Sequence, residues 1–291
     1  AQGPVAVAAG LGVIAGPVID GALSAYGGSK LPFLGAAAMS GLTSLLFVAK
    51  YKESLLDGDK KSMSWVDCNP FGFIKMLRMS RAVKWLMVTA GLQAFSEGRT
   101  ITEINTIFCT KDLEWSTPRL TSFISTYGVG VLIGGIFGGK QIAYLGQKTH
   151  TTVSNISNFV SFMVWGFATK STSWLLFIAL AISLLGQRKR DCVESTVTDI
   201  CVSGGMGKGE VSASLANFRT IPGIIGPISM GYIYSWATAN TAVRYIPGLP
   251  FYLVGVLMLV AEGSHQMLSK KDMGLDENGK YVGFSKQAKV A

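Results

Sequence analysis

The sequence predicts an all-α protein that crosses a membrane several times. Three observations carry that reading. Charged residues make up only 15% of the 291, against about 25% in an ordinary globular domain. Hydrophobic residues reach 49%, and the mean hydropathy is +0.38. The apolar residues are also gathered into long blocks parted by short polar stretches, without strand-length alternation and turns. An open sheet cannot cross a bilayer because its edges leave backbone groups unpaired in lipid, so the blocks are helices. The same composition excludes a disordered chain, a collagen-like chain and a disulfide scaffold.

A span needs about 20 mostly apolar residues. Eight blocks qualify: 3–25, 31–49, 84–108, 120–139, 152–169, 173–203, 211–238 and 247–267. The sixth is the weakest, because its apolar part stops at Gly186 and Arg188-Lys189-Arg190-Asp191 follows. No basic segment precedes the first span, so it is not a signal peptide. The missing Met at residue 1 points to a processed or shortened chain.

Loop charge sets orientation. Of the 26 Lys and Arg, 17 fall in the segments 50–84, 140–150, 204–219 and 268–291, and 5 in the alternating set of loops. The basic set is expected on the cytoplasmic side. The net charge of +9 is thus explained by topology, and no nucleic-acid partner is expected. The longest polar stretch holds an amphipathic piece, Phe71 to Lys84, suited to a membrane surface. Cys68, Cys109, Cys192 and Cys201 form no CxxC, and with two histidines the chain offers no Cys/His zinc cluster. No Ser/His/Asp or Cys/His set appears, so no enzyme is expected, and no cofactor is required.

Span one carries Gly16-Pro17-Val18-Ile19-Asp20-Gly21, and span seven carries Gly226-Pro227-Ile228-Ser229-Met230-Gly231. Both read G-P-x-x-x-G and stand six spans apart. Repeated halves are common in secondary transporters. If the halves are related, one rotation should carry spans one and two onto seven and eight.

Span one also resembles the antiporter motif of the major facilitator superfamily, G-x8-G-x3-G-P-x2-G-G. Gly3, Gly12, Gly16, Pro17 and Gly21 fall on it, and Asp20 replaces one glycine. In that family the motif lies on the fifth helix. Span four is then the eighth, after which the family repeats a loop motif, G-x-L-A-D-R-x-G-R-K. Gly139, Gly146 and Lys148 match it, while Ala143 and Tyr144 stand where its Asp and first Arg belong. The resemblance implies helices five to twelve of a proton-coupled, drug-antiporter-like bundle, with the first four helices missing. It implies 1–49 as the rest of an N-terminal bundle, 50–83 as a basic loop, 84–267 as a C-terminal six-helix bundle and 268–291 as a polar tail.

Charges at membrane depth cost roughly 2.5–3.5 kcal/mol each on the insertion scale and usually face a cavity or a partner. Span three holds Glu97, Arg99 and Glu103, with Arg99 and Glu103 spaced to pair. Either Glu97 takes a proton or a cationic solute in a cavity, or the span ends near Ala94 and the cluster lies at the surface. Span six holds Arg188, Arg190, Asp191 and Glu194, with Arg190 and Glu194 spaced to pair. Either an arginine grips an anionic solute, or the basic run marks the end of a short helix. Asp20 is a cavity carboxylate or a helix-end cap. Two functions follow. One is a secondary transporter of a small organic solute and protons within the lipid bilayer. The other is a transport-inactive subunit of a larger respiratory or photosynthetic membrane complex, docking other subunits, lipids or pigments on its exposed half-bundle.

Overall fold

The computed structural model describes residues 3–28, 30–50, 69–97, 99–239 and 245–274. Eleven α-helices run through them, and no strand occurs among the described residues. Two long helices, α1 (Gly3–Gly27) and α2 (Lys30–Lys50), form a hairpin. The short α3 (Phe73–Met79) leads into α4 (Arg81–Ala94) and α5 (Arg99–Ile107), and a π turn (Phe108–Asp112) extends α5. Then come α6 (Thr117–Leu145), α7 (Gln147–Gly166), α8 (Leu175–Ser183), α9 (Lys189–Ser203), α10 (Lys208–Thr238) and α11 (Leu249–Gln266). Much of the polar stretch after span two, including Leu55 to Lys61 and Cys68, and the tail beyond residue 274 lie outside the described residues.

Of the eight expected spans, three helices are long and apolar enough to cross a membrane: Val7–Gly27, Lys30–Lys50 and Thr117–Leu145. They mark a helical membrane protein. The other five fall short for identifiable reasons. Span three is two helices, parted by a turn at residues 95–97. Span six is also two, parted by a 3-10 turn at Leu184–Gly186 and by Gln187 and Arg188. The α7 helix is long enough but buries a polar face that includes His150, Ser154, Asn155 and Asn158. The α10 helix dilutes its apolar residues with Gly, Pro, Ser and Tyr, and α11 ends in Glu262, His265 and Gln266.

Packing follows where small residues let backbones meet. α1 lies along α6, with Gly10 against the backbone of Leu132 and Gly128 against Ile14. α11 is held by α7 and α4, and α9 packs on α4 and α7. Two apolar clusters fill the bundle. One is aromatic: Trp165 stacks on Phe162 and on Phe251, at 5.7 and 5.5 Å between ring centroids. The other joins Phe73 and Met76 of α3 to Met87, Val197, Leu268 and Met273, so α3 and the start of the tail share one end of the bundle. There Asp272 accepts from the Ser269 hydroxyl and backbone N–H, which hold its carboxyl below the ordinary value.

Candidate functional site

The two helix breaks face each other. α4 ends at Ala94, and Ser96 closes the turn by donating from Oγ to the Gln93 carbonyl at 2.7 Å. The 3-10 turn of span six is set by Gly186, where a Cβ would collide with the amide of Asn158 from α7. Beyond it α9 begins at Lys189, which lies on the helix's buried face with Cys192, Val193, Thr196 and Val197. Its Nζ donates to Ser96 Oγ at 2.6 Å and to Asn158 Oδ1 at 3.2 Å. A buried lysine thus ties one broken helix to the other.

A cavity of about 710 Å³ opens over this junction. α1 contributes Val13 and Pro17 to its wall. Glu97, Asn105, Tyr127, Phe162 and Trp165 supply polar and aromatic surface, and Gln187, Arg188, Lys189, Arg190 and Asp191 line its charged side. A second cavity of about 630 Å³ shares Arg188, Arg190 and Asp191 with the first and adds Glu194, Thr198, Asp199 and Lys208. The charged start of α9 therefore lies between two hollows.

Ion pairs knit that layer together. Arg219 of α10 donates to Glu97 at 2.9 Å, and its other terminal nitrogen lies 3.2 Å from Glu194. Arg190 pairs with Glu194 at 2.8 Å, as the four-residue spacing anticipated, and Arg188 pairs with Asp191. One arginine thus holds carboxylates from two different elements. Such pairs repay the cost of taking charges out of water only when their geometry is good and their remaining lone pairs are satisfied.

The other expected residues fall elsewhere. Asp20 is exposed on α1 and Glu103 is exposed on α5; neither lines either cavity. Of Arg99 only the backbone, at the first position of α5, is described, so its pairing with Glu103 lies outside the described residues. Gly12, Gly16, Gly21, Gly139 and Gly231 have open space where a Cβ would stand, so the close approach of α1 to α6 falls on Gly10 rather than on the motif glycines. Gly226 does pack, against Thr100 of α5, beside Pro227 within α10. Gly146 adopts φ 77°, a conformation that favours glycine, and turns the chain from α6 into α7. Lys148 donates to the Leu268 carbonyl at 2.6 Å and fastens the end of α11.

Lys189, Asn158 and Arg219 carry much of the site, although the sequence alone gives Asn158 and Arg219 a structural part and places Lys189 only within a basic run. One signal was present. Lys189 stands three, four and eight residues before Cys192, Val193 and Val197, which places it on the helix's apolar stripe. Asp112, at the end of the π turn, accepts from Tyr234 at 2.5 Å and from Tyr245, whose hydroxyl pKa is raised chiefly by that bond.

The chain is distantly homologous to tetracycline resistance proteins. It is 26% identical to the class C protein of Escherichia coli over 251 residues, which is 84% of this chain and 61% of that protein. It is 20% identical to the class D protein of Salmonella ordonez over 234 residues, 80% of this chain and 57% of the relative. It is 22% identical to the class H protein of Pasteurella multocida over 254 residues, 86% and 60%. The chain thus spans about three-fifths of the length of the curated relatives it matches. No family model matches it, and no solved structure matches it. Among the described residues no group of three or more His, Cys, Asp or Glu is placed to hold a metal ion.

Proposed function

We propose that the chain is part of a major facilitator-type secondary transporter that moves a small organic solute against protons. One observation carries this reading: two interrupted helices meet, through Lys189 and Ser96, at the wall of a cavity with aromatic and charged sides. Discontinuous helices with irregular backbone lining a cavity are how many transporters build a midplane site. The remote kinship to resistance proteins supports the same class. On this reading all eight expected spans cross the bilayer, including the broken and polar ones. The polar faces of α7 and α9 are then turned inward, as charges at membrane depth require.

The layer between the two hollows supplies the coupling. Arg219 holds Glu97 on the side of the larger cavity and Glu194 on the side of the smaller one. A proton on Glu97 cancels one of those attractions and leaves Arg219 to Glu194, which loosens α4 from α10. A solute in the larger cavity stacks on the aromatic side and meets Lys189, whose hydrogen-bond acceptors Ser96 and Asn158 are neutral. The test is proton-driven uptake of tetracycline, as a first probe solute, into inverted membrane vesicles. Glu97→Gln combined with Glu194→Gln should lower uptake at least tenfold while the protein still reaches the membrane. Unchanged pH-dependent uptake in that double variant overturns the site assignment.

The rival reading, a structural subunit, rests on α2, which buries none of its residues. Lipid covers such a helix as well as a partner does, so the paired breaks favour transport.

A further inference from the structure

A second polar cluster lies among α4, α7 and α11 and takes no part in the cavity. Glu262 of α11 is 8% exposed, and its Oε2 accepts from Asn155 Nδ2 at 2.9 Å. Its other oxygen accepts from Gln266. One turn on, His265 is wholly buried, and neither ring nitrogen has a hydrogen-bond partner among the described residues. Its Nδ1 stands 4.0 Å from Glu262 Oε2, on the same helix face. Thr89 and Ser264 bond to each other at 2.8 Å in the same layer.

We propose that Glu262 and His265 form a proton-binding site distinct from the solute cavity. Burial disfavours a charged imidazole, and the carboxylate 4.0 Å away is the group that favours an added proton there. The neutral imidazole and the carboxylate together carry one negative charge. On uptake of a proton the imidazolium Nδ1–H donates to Glu262 Oε2, and the pair becomes neutral. The other charge acting on the imidazole is Lys148 at the start of α7. From α4 the facing side chains, Thr89 and Gln93, are uncharged. Of the charged residues of α10, Glu210 pairs with Lys75, Arg219 with Glu97 and Glu194, and Lys208 acts on Asp199.

The site and the Lys189 network of the cavity wall meet at Gln93. Lys189 donates to Ser96, and Ser96 donates to the Gln93 carbonyl. The Gln93 side chain then donates to Asn155 Oδ1 at 2.8 Å, and Asn155 donates to Glu262. Gln93 thus belongs to both networks, its backbone carbonyl facing Ser96 and its side-chain amide facing Asn155. This gives the proposed transport a second place to hold a proton, apart from Glu97 and outside the solute's path. The test reads proton binding without any solute, so it fails or succeeds separately from uptake.

The full chain, labelled with 15N-histidine, is placed in lipid nanodiscs and titrated between pH 8.5 and 4.5. With two histidines in the sequence, His150→Asn assigns the signals. We expect His265 to take up one proton in this range, and Glu262→Gln to weaken its proton affinity at least threefold. An imidazole that keeps one protonation state throughout overturns the proposal, and this needs no variant. A change of less than threefold in Glu262→Gln overturns the pairing.

Discussion

At the scale of single residues, the site turns on the fit between Gly186 and Asn158. Gly186 gives up its side chain so that Asn158 can pass, and Asn158 in turn offers Oδ1 to Lys189. A methyl at 186 would strike the Asn158 amide and stand 3.0 Å from the Ser154 carbonyl and the Ser157 hydroxyl. Backbone and a packed helix face cannot yield cheaply. Gly186→Ala should therefore cost about 1–3 kcal/mol, the usual cost of overpacking, read as a lower melting temperature in detergent. An unchanged melt would mean that Asn158 is free to move and that the Lys189 tie is loose. The charged residues of this site were visible in the sequence, but their partners were not. Arg190 and Glu194 are neighbours on one helix, so spacing alone finds them. Arg219 and Glu97 are 122 positions apart, and only packing joins them.

At the scale of helices, the two Gly-Pro sequences look alike as text and differ in their surroundings. Gly16 faces open space, while Gly226 is pressed against Thr100 at the start of α5. Gly226→Leu must push α5 away from α10 and should destabilise by about 1–3 kcal/mol. Ile228→Leu, on an exposed face of the same helix, should stay within about 0.5 kcal/mol. Paired thermal melts decide this, and equal effects would place Gly226 away from any neighbour. Most helices were legible because apolar blocks of span length are hard to mistake. The interruptions were less so. Phe95, Ser96 and Glu97 do not forbid a helix by themselves; the turn persists because Ser96 finds the Gln93 carbonyl and Lys189. Those partners lie on other turns or other helices, beyond the reach of local periodicity.

At the scale of the whole molecule, loop charge makes a statement about sidedness that packing makes testable. The basic segments 50–84 and 268–291 were assigned to one side by loop charge, and the structure joins Phe73 and Met76 to Leu268 and Met273 in one apolar cluster. Lys75 and Lys271 are exposed near that end. Lys170, in the turn between α7 and α8, is exposed at the other end, where it pairs with Glu114 at 2.5 Å. If α7 and α11, which pack side by side, each cross once as proposed, a bilayer separates the two groups. Cysteines placed singly at 75, 271 and 170, in a background with Cys68 replaced, test this with a thiol reagent that cannot cross membranes. The remaining cysteines, Cys109, Cys192 and Cys201, are buried and should react slowly. Positions 75 and 271 should label from the same side of sealed vesicles, and position 170 only from the opposite side. Labelling of all three from one side would mean that α7 and α11 do not span, and the transport reading would fall with them.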